Sequence, residues 1–430
     1  MIFHIDANSF YASCEHIFRP DLRQSPIAVL TNNDGVVIAL DQKCKDLGLK
    51  RGDIYFKEKY RYQAFSVKVF SSNYTLYADI STRLNTIYNY YAPETEMYSI
   101  DESFLFFPDW INCSFTGLAK EIRNAVLQQV HVPVSIGIAP TKTLAKLCNK
   151  LAKRADGVFN WQEADHRQIL SSYPAADVWG IGPAKAELLA SRFGIHTALA
   201  VSEFPLDKAK KYLSINGFRT IQELNGIPAI DDIPSRNRQN ITVSRSFAHG
   251  VRDLAQIETA LAEYTQLAVA RMRSEHSCCR IVSIYLMTAR AYTQKDAEKE
   301  YFNGAMAEFN EPSDYLPDIL STAKNLVHRL YRPQYNYRKV MVNLFGLEPG
   351  TASQLLLFSS RKDADRKKQQ AVMQACDDIN RRFGRGTIHP GLRSQTNDIR
   401  TDGTKADWIM HRGLLSPDYT TSLDSLPEVN

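Results

Sequence analysis

Apolar and polar positions alternate over residues 1–6 (Met1-Ile2-Phe3-His4-Ile5-Asp6), which predicts a short strand ending on Asp6. Residues 98–107 and 134–139 carry the same kind of pattern and are rich in β-formers. Between them, Leu118, Ile122, Ala125 and Val126 recur at helical spacing, so 116–129 is expected to be a helix. After Pro140 a second helix is expected over 141–154, with Leu144, Leu147, Cys148 and Leu151 on one face and Thr141 as its N-cap. Strands and helices that do not alternate strictly point to an α+β sheet domain.

The pattern changes over 174–225. Short helical segments are broken by Gly180, Gly182, Gly194 and Gly217, and no strand pattern appears, so this stretch reads as a small all-helical unit. Residues 231–240 have the composition of an interdomain linker. Strand patterns return at 242–247, 280–287 and 338–345, with helical patterns over 257–274 and 316–330, which makes a second α+β domain. From Glu348 onward the chain is polar and broken by Pro and Gly, with one amphipathic helix marked by Val372, Ala375, Ile379 and Phe383. No internal repeat and no low-complexity tract is present.

At ~150 residues per domain, 430 residues allow two to four domains. Charged residues make up 23% and apolar ones 44%, which excludes a mostly disordered, collagen-like or coiled-coil chain. No uncharged apolar run reaches the ~18 residues of a membrane span, and Met1 to Asp6 lacks the basic start of a secretory leader. The net charge of +5 permits a polyanionic partner without identifying one. Seven cysteines, none in a C-x-x-C pair, favour reduced thiols in the cytoplasm over a disulfide framework or a zinc knuckle.

The strongest chemical signal is Asp6 at one strand end together with Asp101-Glu102 in Tyr98-Ser99-Ile100-Asp101-Glu102-Ser103. Three carboxylates on neighbouring strands can hold two Mg²⁺ ions, which prefer hard oxygen ligands and complete their shell with substrate phosphate. Acids at strand ends are also common surface caps. Adjacent strand residues point to opposite faces, so Asp101 and Glu102 can share a site only at a turn or bulge. Phe10-Tyr11 follows the first strand, either as core packing or as a ring that floors a nucleotide pocket and excludes a 2′-OH. Lys142, Lys146 and Lys153 fall near one helix face, which is either solvated or neutralises phosphate. Trp179-Gly180-Ile181-Gly182-Pro183-Ala184-Lys185 is a tight turn into a helix, either a plain helix–helix turn or a hairpin that binds backbone phosphate. Gln354-Leu355-Leu356-Leu357-Phe358, in polar surroundings, is either a short buried strand or a docking peptide for a groove.

These motifs occur together and in one order. With Asn32-Asn33-Asp34-Gly35, Phe70-Ser71-Ser72-Asn73-Tyr74, Pro140-Thr141-Lys142-Thr143-Leu144-Ala145-Lys146-Leu147, Ser244-Arg245-Ser246-Phe247 and Leu415-Ser416-Pro417-Asp418-Tyr419-Thr420-Thr421, the set resembles the Y-family (translesion) DNA polymerases, in particular their UmuC-like branch. The resemblance spans nearly the whole chain. It implies an α+β multidomain fold: a palm (1–10 and 73–165), small fingers (11–72), an all-helical thumb with a helix-hairpin-helix (166–232), a linker (233–240), an α+β little finger (241–346) and a C-terminal tail (347–430) for clamp and partner binding.

The resemblance further implies template-directed, error-prone translesion synthesis in the bacterial SOS response. Asp6, Asp101 and Glu102 would be the catalytic acids, ligating two Mg²⁺ ions with help from the Ala7 carbonyl. Tyr11 would be the sugar-selecting gate beside Phe10, and Lys45 and Lys153 would contact the incoming dNTP. Gly180, Ile181, Gly182 and Lys185 would hold DNA backbone, and 354–358 would dock on the sliding clamp. Expected partners are primer-template DNA, a processed UmuD-like dimer, a RecA filament and the clamp, with no membrane and a cytoplasmic, nucleoid-associated location. One departure is visible in the fingers: Gln42 and Lys45 stand where many relatives carry a tyrosine and an arginine, so Lys45 supplies a point charge in place of a planar fork. Asp41 beside them has no role that the sequence explains. A rival reading is a non-catalytic DNA-binding adaptor that recruits the clamp, but an adaptor has no use for the three acids together.

Overall fold

A computed structural model of the chain describes residues 1–108, 110, 113–230, 238–289, 300–350, 363–384, 387–389 and 411–422. The chain divides into two compact units, Met1–Pro234 with Arg412–Asn430, and Ser235–His411.

In chain order the first unit contains β1 (Ile2–Ala7), α1 (Phe10–Ile17), β2 (Ile27–Leu30), β3 (Val37–Leu40), α2 (Gln42–Asp46), α3 (Tyr55–Ala64), β4 (Lys68–Ser71) and α4 (Tyr74–Tyr91). It continues with β5 (Glu94–Met97), β6 (Glu102–Phe106), α5 (Phe115–Val130), β7 (Val134–Ala139), α6 (Lys142–Ala152) and β8 (Val158–Asn160). It closes on the helices α7 (His166–Ser172), α8 (Pro183–Phe193), α9 (Ala198–Ser202) and α10 (Leu206–Leu224).

The main sheet has the order β5-β6-β1-β7-β8, with β1 at its centre. Alternation in β1 decides what each face does. Phe3, Ile5 and Ala7 join the core made with Leu76, Ile80 and Leu84 of α4 and Ile122 and Val126 of α5. His4 and Asp6 take the opposite face. Helix α6 lies there, its Asn149 amide donating to the His4 carbonyl (2.9 Å) and the Ser135 carbonyl (2.7 Å). It comes this close because Gly137 of β7, the register partner of His4, has no side chain: a Cβ there would sit 2.1 Å from Asn149 N and 2.2 Å from Ala145 O. Thr141 caps α6, its hydroxyl accepting from the Leu144 N–H at 3.4 Å.

A smaller sheet, β3-β2-β4, lies within residues 11–72, the stretch expected to form fingers, with β2 and β4 parallel. Helices α7–α10 bury Leu170, Leu189, Val201, Phe204, Leu213 and Ile221 with Leu144, Leu147 and Cys148 of α6. Glu223, almost fully buried, ties this helical part to α6: its Oε2 accepts from the Thr143 N–H at 2.8 Å.

The strand expected over 98–107 is shorter. Residues 98–101 form a turn, and β6 starts at Glu102. The Ser99 hydroxyl closes this turn by accepting from the Asp101 and Glu102 N–H groups at 3.3 and 3.1 Å, which overrides the strand preference of Tyr98 and Ile100.

The second unit is a four-stranded antiparallel sheet of order β11-β10-β12-β9, built from β9 (Asn240–Val251), β10 (Ser277–Thr288), β11 (Phe302–Ser313) and β12 (Tyr337–Pro349). The helices Leu254–Ser274 and Leu316–Leu330 pack on it through Leu261, Tyr264, Val269, Leu326 and Val327. A further helix, Asp363–Phe383, is tied to this unit by the Arg273–Asp377 ion pair at 2.8 Å. Within the expected tail, residues 412–422 belong to the first unit, where Ser71 N–H donates to the Leu414 carbonyl at 2.9 Å.

Candidate active site

Pairing of β1 with β6, and the turn that leads into β6, bring the three acids to one end of the central strands of the main sheet. Asp6 and Glu102 are register partners on β1 and β6 and therefore share a face. Asp101 sits one residue earlier, in the turn, where its carbonyl accepts from the Ala7 N–H at 2.9 Å. Its carboxylate accepts from the Ser99 hydroxyl at 2.6 Å. The turn takes Asp101 out of the strict alternation that would place it on the opposite face from Glu102.

The same face carries lysines from α6. Lys146 Nζ lies 2.7 Å from Glu102 Oε2, and Lys153 Nζ, just past the helix end, lies 2.7 Å from Asp6 Oδ1. Burial pushes the Asp6 carboxyl up to about 6; Lys153 pulls against the rise, and Glu102 and Asp101 add to it. His4, enclosed beneath the acids, is held well below its ordinary value by burial and by Lys146 and Lys153, so its ring is neutral. Among the described residues no three His, Cys, Asp or Glu side chains converge tightly enough to cage a cation; Asp6 and Glu102 each turn to a lysine. The donor set itself is all carboxylate oxygen, desolvated and neutralised by cations, which is the chemistry a hard divalent ion takes.

Beside Asp6 opens a cleft of about 630 Å³ lined by Ser9, Ser13, Gln42, Lys45, His131 and Lys153, among others. Lys45 and Lys153, far apart in sequence, therefore face one space. Lys45 Nζ is 3.1 Å from Ser9 Oγ, and the Gln42 amide donates to Asp46 at 2.8 Å. Asp41 now has a role: Oδ1 caps α2 by accepting from Cys44 N–H (2.8 Å), and Oδ2 accepts from Ile27 N–H (3.0 Å). Burial works to raise its carboxyl, but His16 and these N–H donors outweigh it and hold it below the ordinary value.

Of the aromatic pair, Phe10 is buried in the core and Tyr11 is half-buried. The Tyr11 ring stacks on Tyr77 (4.4 Å between centroids, 15°) and meets Tyr74 edge-on at 5.9 Å. The sequence reading missed Tyr77 as a support for Tyr11; its helical spacing from Asn73-Tyr74 was the available signal. Lys142 is not on a solvated face. It is 3% exposed, 2.5 Å from Glu96 Oε2, with the rings of Phe104 and Phe106 each 5.4 Å from its Nζ.

In the helical part, Gly180 adopts φ +90°, and a Cβ there would lie 2.3 Å from Thr220 Oγ1. Ile181 is buried, while Gly182 caps α8 and stays exposed. Lys185 Nζ folds back to the Gly180 carbonyl at 3.1 Å. The peptide 354–358 lies outside the described residues.

Comparison with known proteins gives the family and the fold. Residues 5–150 match the impB/mucB/samB family, 238–357 its C-terminal domain, and 370–429 a domain of unknown function (DUF4113). Protein UmuC of Salmonella typhimurium is 37% identical over 431 residues, covering 99% of each chain. A DNA polymerase IV of Moorella thermoacetica is 29% identical, over 89% of this chain and 94% of its own. A chimeric Y-family DNA polymerase built on Dbh superposes with a TM-score of 0.64 at 19% identity, over 80% of this chain and 98% of that one, which establishes the fold. The chain belongs to the impB/mucB/samB family, the UmuC-like branch of the Y-family DNA polymerases.

Proposed function

We propose that this protein carries out template-directed, error-prone translesion synthesis, with Asp6, Asp101 and Glu102 holding two Mg²⁺ ions and the Ala7 carbonyl assisting. The observation that carries the reading is the Asp6–Glu102 register pair, with Asp101 in the adjoining turn, at the edge of a cleft that Lys45 and Lys153 line. When bound, the ions supply charge stabilisation to the attacking and leaving oxygens of an in-line phosphoryl displacement.

The protein's own part is positioning and electrostatics. Lys45 and Lys153 receive the triphosphate of the dNTP, and Tyr11, beside the buried Phe10 and stacked on Tyr77, excludes a ribose 2′-OH sterically. No side chain is required as a nucleophile. The turn at Gly180, Ile181 and Gly182, with Lys185 beside it, meets the DNA backbone through glycine N–H groups and the lysine charge without reading sequence, the Ile181 N–H being held by the Val178 carbonyl at 2.9 Å. The peptide 354–358 docks on the sliding clamp, a tether that raises effective concentration without new contacts at the reacting centre. A processed UmuD-like dimer and a RecA filament complete the working assembly, in the SOS response of a bacterial cytoplasm, at the nucleoid.

The test is primer extension across a template abasic site with Mg²⁺ and dNTPs, comparing wild type with Asp101→Asn, each given clamp, processed partner and RecA filament. Extension by wild type alone is expected. Equal extension by both refutes the site assignment. Silence from both, with DNA binding intact, favours the adaptor.

A further inference from the structure

Residues 412–422 lie in a region whose family model is a domain of unknown function, and they dock on the first unit through two buried side chains, Ser416 at 4% exposure and Tyr419 at 7%. Ser416 Oγ accepts from the Asn73 amide at 3.0 Å and donates to Glu15 Oε1 at 3.2 Å. The same Glu15 oxygen accepts from the Tyr77 hydroxyl at 2.7 Å. The Tyr77 ring is the one on which Tyr11 stacks. An unbroken chain of contacts thus runs from the C-terminal segment to the ring at the nucleotide site.

The segment also grips the two helices that carry this chain. Tyr419 stacks on Phe18, at the end of α1, with centroids 4.8 Å apart and planes at 14°. Leu414 exchanges hydrogen bonds with Ser71, its N–H donating to Ser71 Oγ at 3.0 Å and its carbonyl accepting from Ser71 N–H at 2.9 Å. Two residues on, Asn73 caps α4 by accepting from Leu76 N–H at 3.2 Å while its amide holds Ser416. Glu15 is fully buried, and among the described residues its second oxygen has no hydrogen-bond partner, so Tyr77 and Ser416 are the anchors of its carboxyl.

We propose that residues 412–422 are a positioning strap for Tyr11, acting through Ser416, Glu15 and Tyr77 to set how strictly a ribose 2′-OH is excluded. This rests on the reading of Tyr11 as the sugar-selecting residue. A gate that discriminates one hydroxyl by contact depends on sub-ångström placement of its ring. Tyr11 has one face supported by Tyr77, and Tyr77 is fixed at its far end by the carboxyl that the strap holds. Ser416 touches no substrate; it is a positioning residue.

The experiment uses the full chain with its clamp, partner and filament, and measures single-nucleotide insertion kcat/KM for a dNTP and the matching rNTP. Ser416→Ala is expected to lower the dNTP-to-rNTP selectivity by roughly fivefold, the worth of one buried hydrogen bond. Ser416→Thr, which keeps the hydroxyl, is expected to retain it. Tyr77→Phe keeps the ring and loses the anchor, so it should lower selectivity like Ser416→Ala, and the double variant should lose no more than either single one. Unchanged selectivity in Ser416→Ala overturns the proposal, even if thermal stability falls, because a merely cohesive strap would move stability alone. Additive losses in the double variant also overturn it. Tyr11→Ala is the separate control: if it leaves selectivity untouched, the reading of Tyr11 itself fails.

Discussion

Glu15 is an acid in a place where an acid is costly. It is fully buried, with one oxygen accepting from Tyr77 and Ser416 and the other without a hydrogen-bond partner among the described residues. Burial pushes its carboxyl from the ordinary 4.5 up to about 7, against the pull of the Tyr77 and Ser416 hydrogen bonds and the charge of His16. A raised carboxyl binds its proton more tightly in the folded chain than in the unfolded one. Its contribution to stability is therefore full below 4.5 and is lost as the pH rises through about 7. At about 1.4 kcal/mol per pH unit, that interval amounts to on the order of 3 kcal/mol. Glu15→Gln removes the titration and keeps the shape. Hydrogen exchange of the α1 and α4 amides gives the opening free energy of this region alone, without assuming that both units unfold together. The advantage of the variant over wild type should grow by on the order of 3 kcal/mol between about pH 5 and about pH 8.5. Parallel pH profiles for the two proteins would refute the reasoning, since Glu15 would then be ionised or neutral in both states alike.

Tyr11→Ala should raise ribonucleotide insertion by roughly 10- to 100-fold, the range of a relieved steric clash, measured as the ratio of kcat/KM values. Lys153→Ala should raise the KM for dNTP by roughly tenfold, as the loss of a charge-assisted hydrogen bond implies, and affect DNA affinity less; the reverse pattern would make Lys153 a DNA-backbone contact. Replacing Leu357 and Phe358 with Ala should abolish stimulation by the clamp and leave clamp-free synthesis intact, and persistent stimulation would move the docking peptide elsewhere.

Much of this was legible because local pattern and tertiary structure agree. The strand over 134–139 and the helix over 316–330 have the bounds that the sequence pattern predicts, the strand because all six of its residues are buried and the helix because it buries one regular face. The edge strand Phe302–Ser313 was missed. Asn303, Gly304, Asn310 and Pro312 are poor strand formers; pairing with Leu286 and Tyr285 of β10 holds Asn303 and Gly304 extended, while Asn310 and Pro312 fall where the register shifts between Glu308 and Ser313. Gly304 even serves the fold there, because a Cβ would lie 2.4 Å from the Tyr285 ring. Asp41 caps α2 locally through the Cys44 N–H, three residues on, a signal the sequence carried; its second partner, the Ile27 N–H, becomes apparent only when α2 meets β2. The strap is the extreme case: Ser416 meets Asn73, 343 positions away, and nothing local announces it.

The three lysines show why spacing alone could not assign roles. Lys146 and Lys153 are seven residues apart, two helical turns, so both reach the same sheet face, and each pairs with one acid. Their surroundings differ. Lys146 is 13% exposed and enclosed by Tyr98 and Trp179, whose centroids lie 4.5 and 5.2 Å from its Nζ. Leaving Glu102 would cost it those rings as well as the ion pair. Lys153 is 40% exposed, has left the helix, and lines the cleft that Lys45 enters from the other side. It can turn from Asp6 to a phosphate without crossing packed side chains. Lys142 is enclosed more tightly still, against Glu96. Of three cations on one predicted face, enclosure fixes two in the fold and leaves Lys153 able to meet a triphosphate.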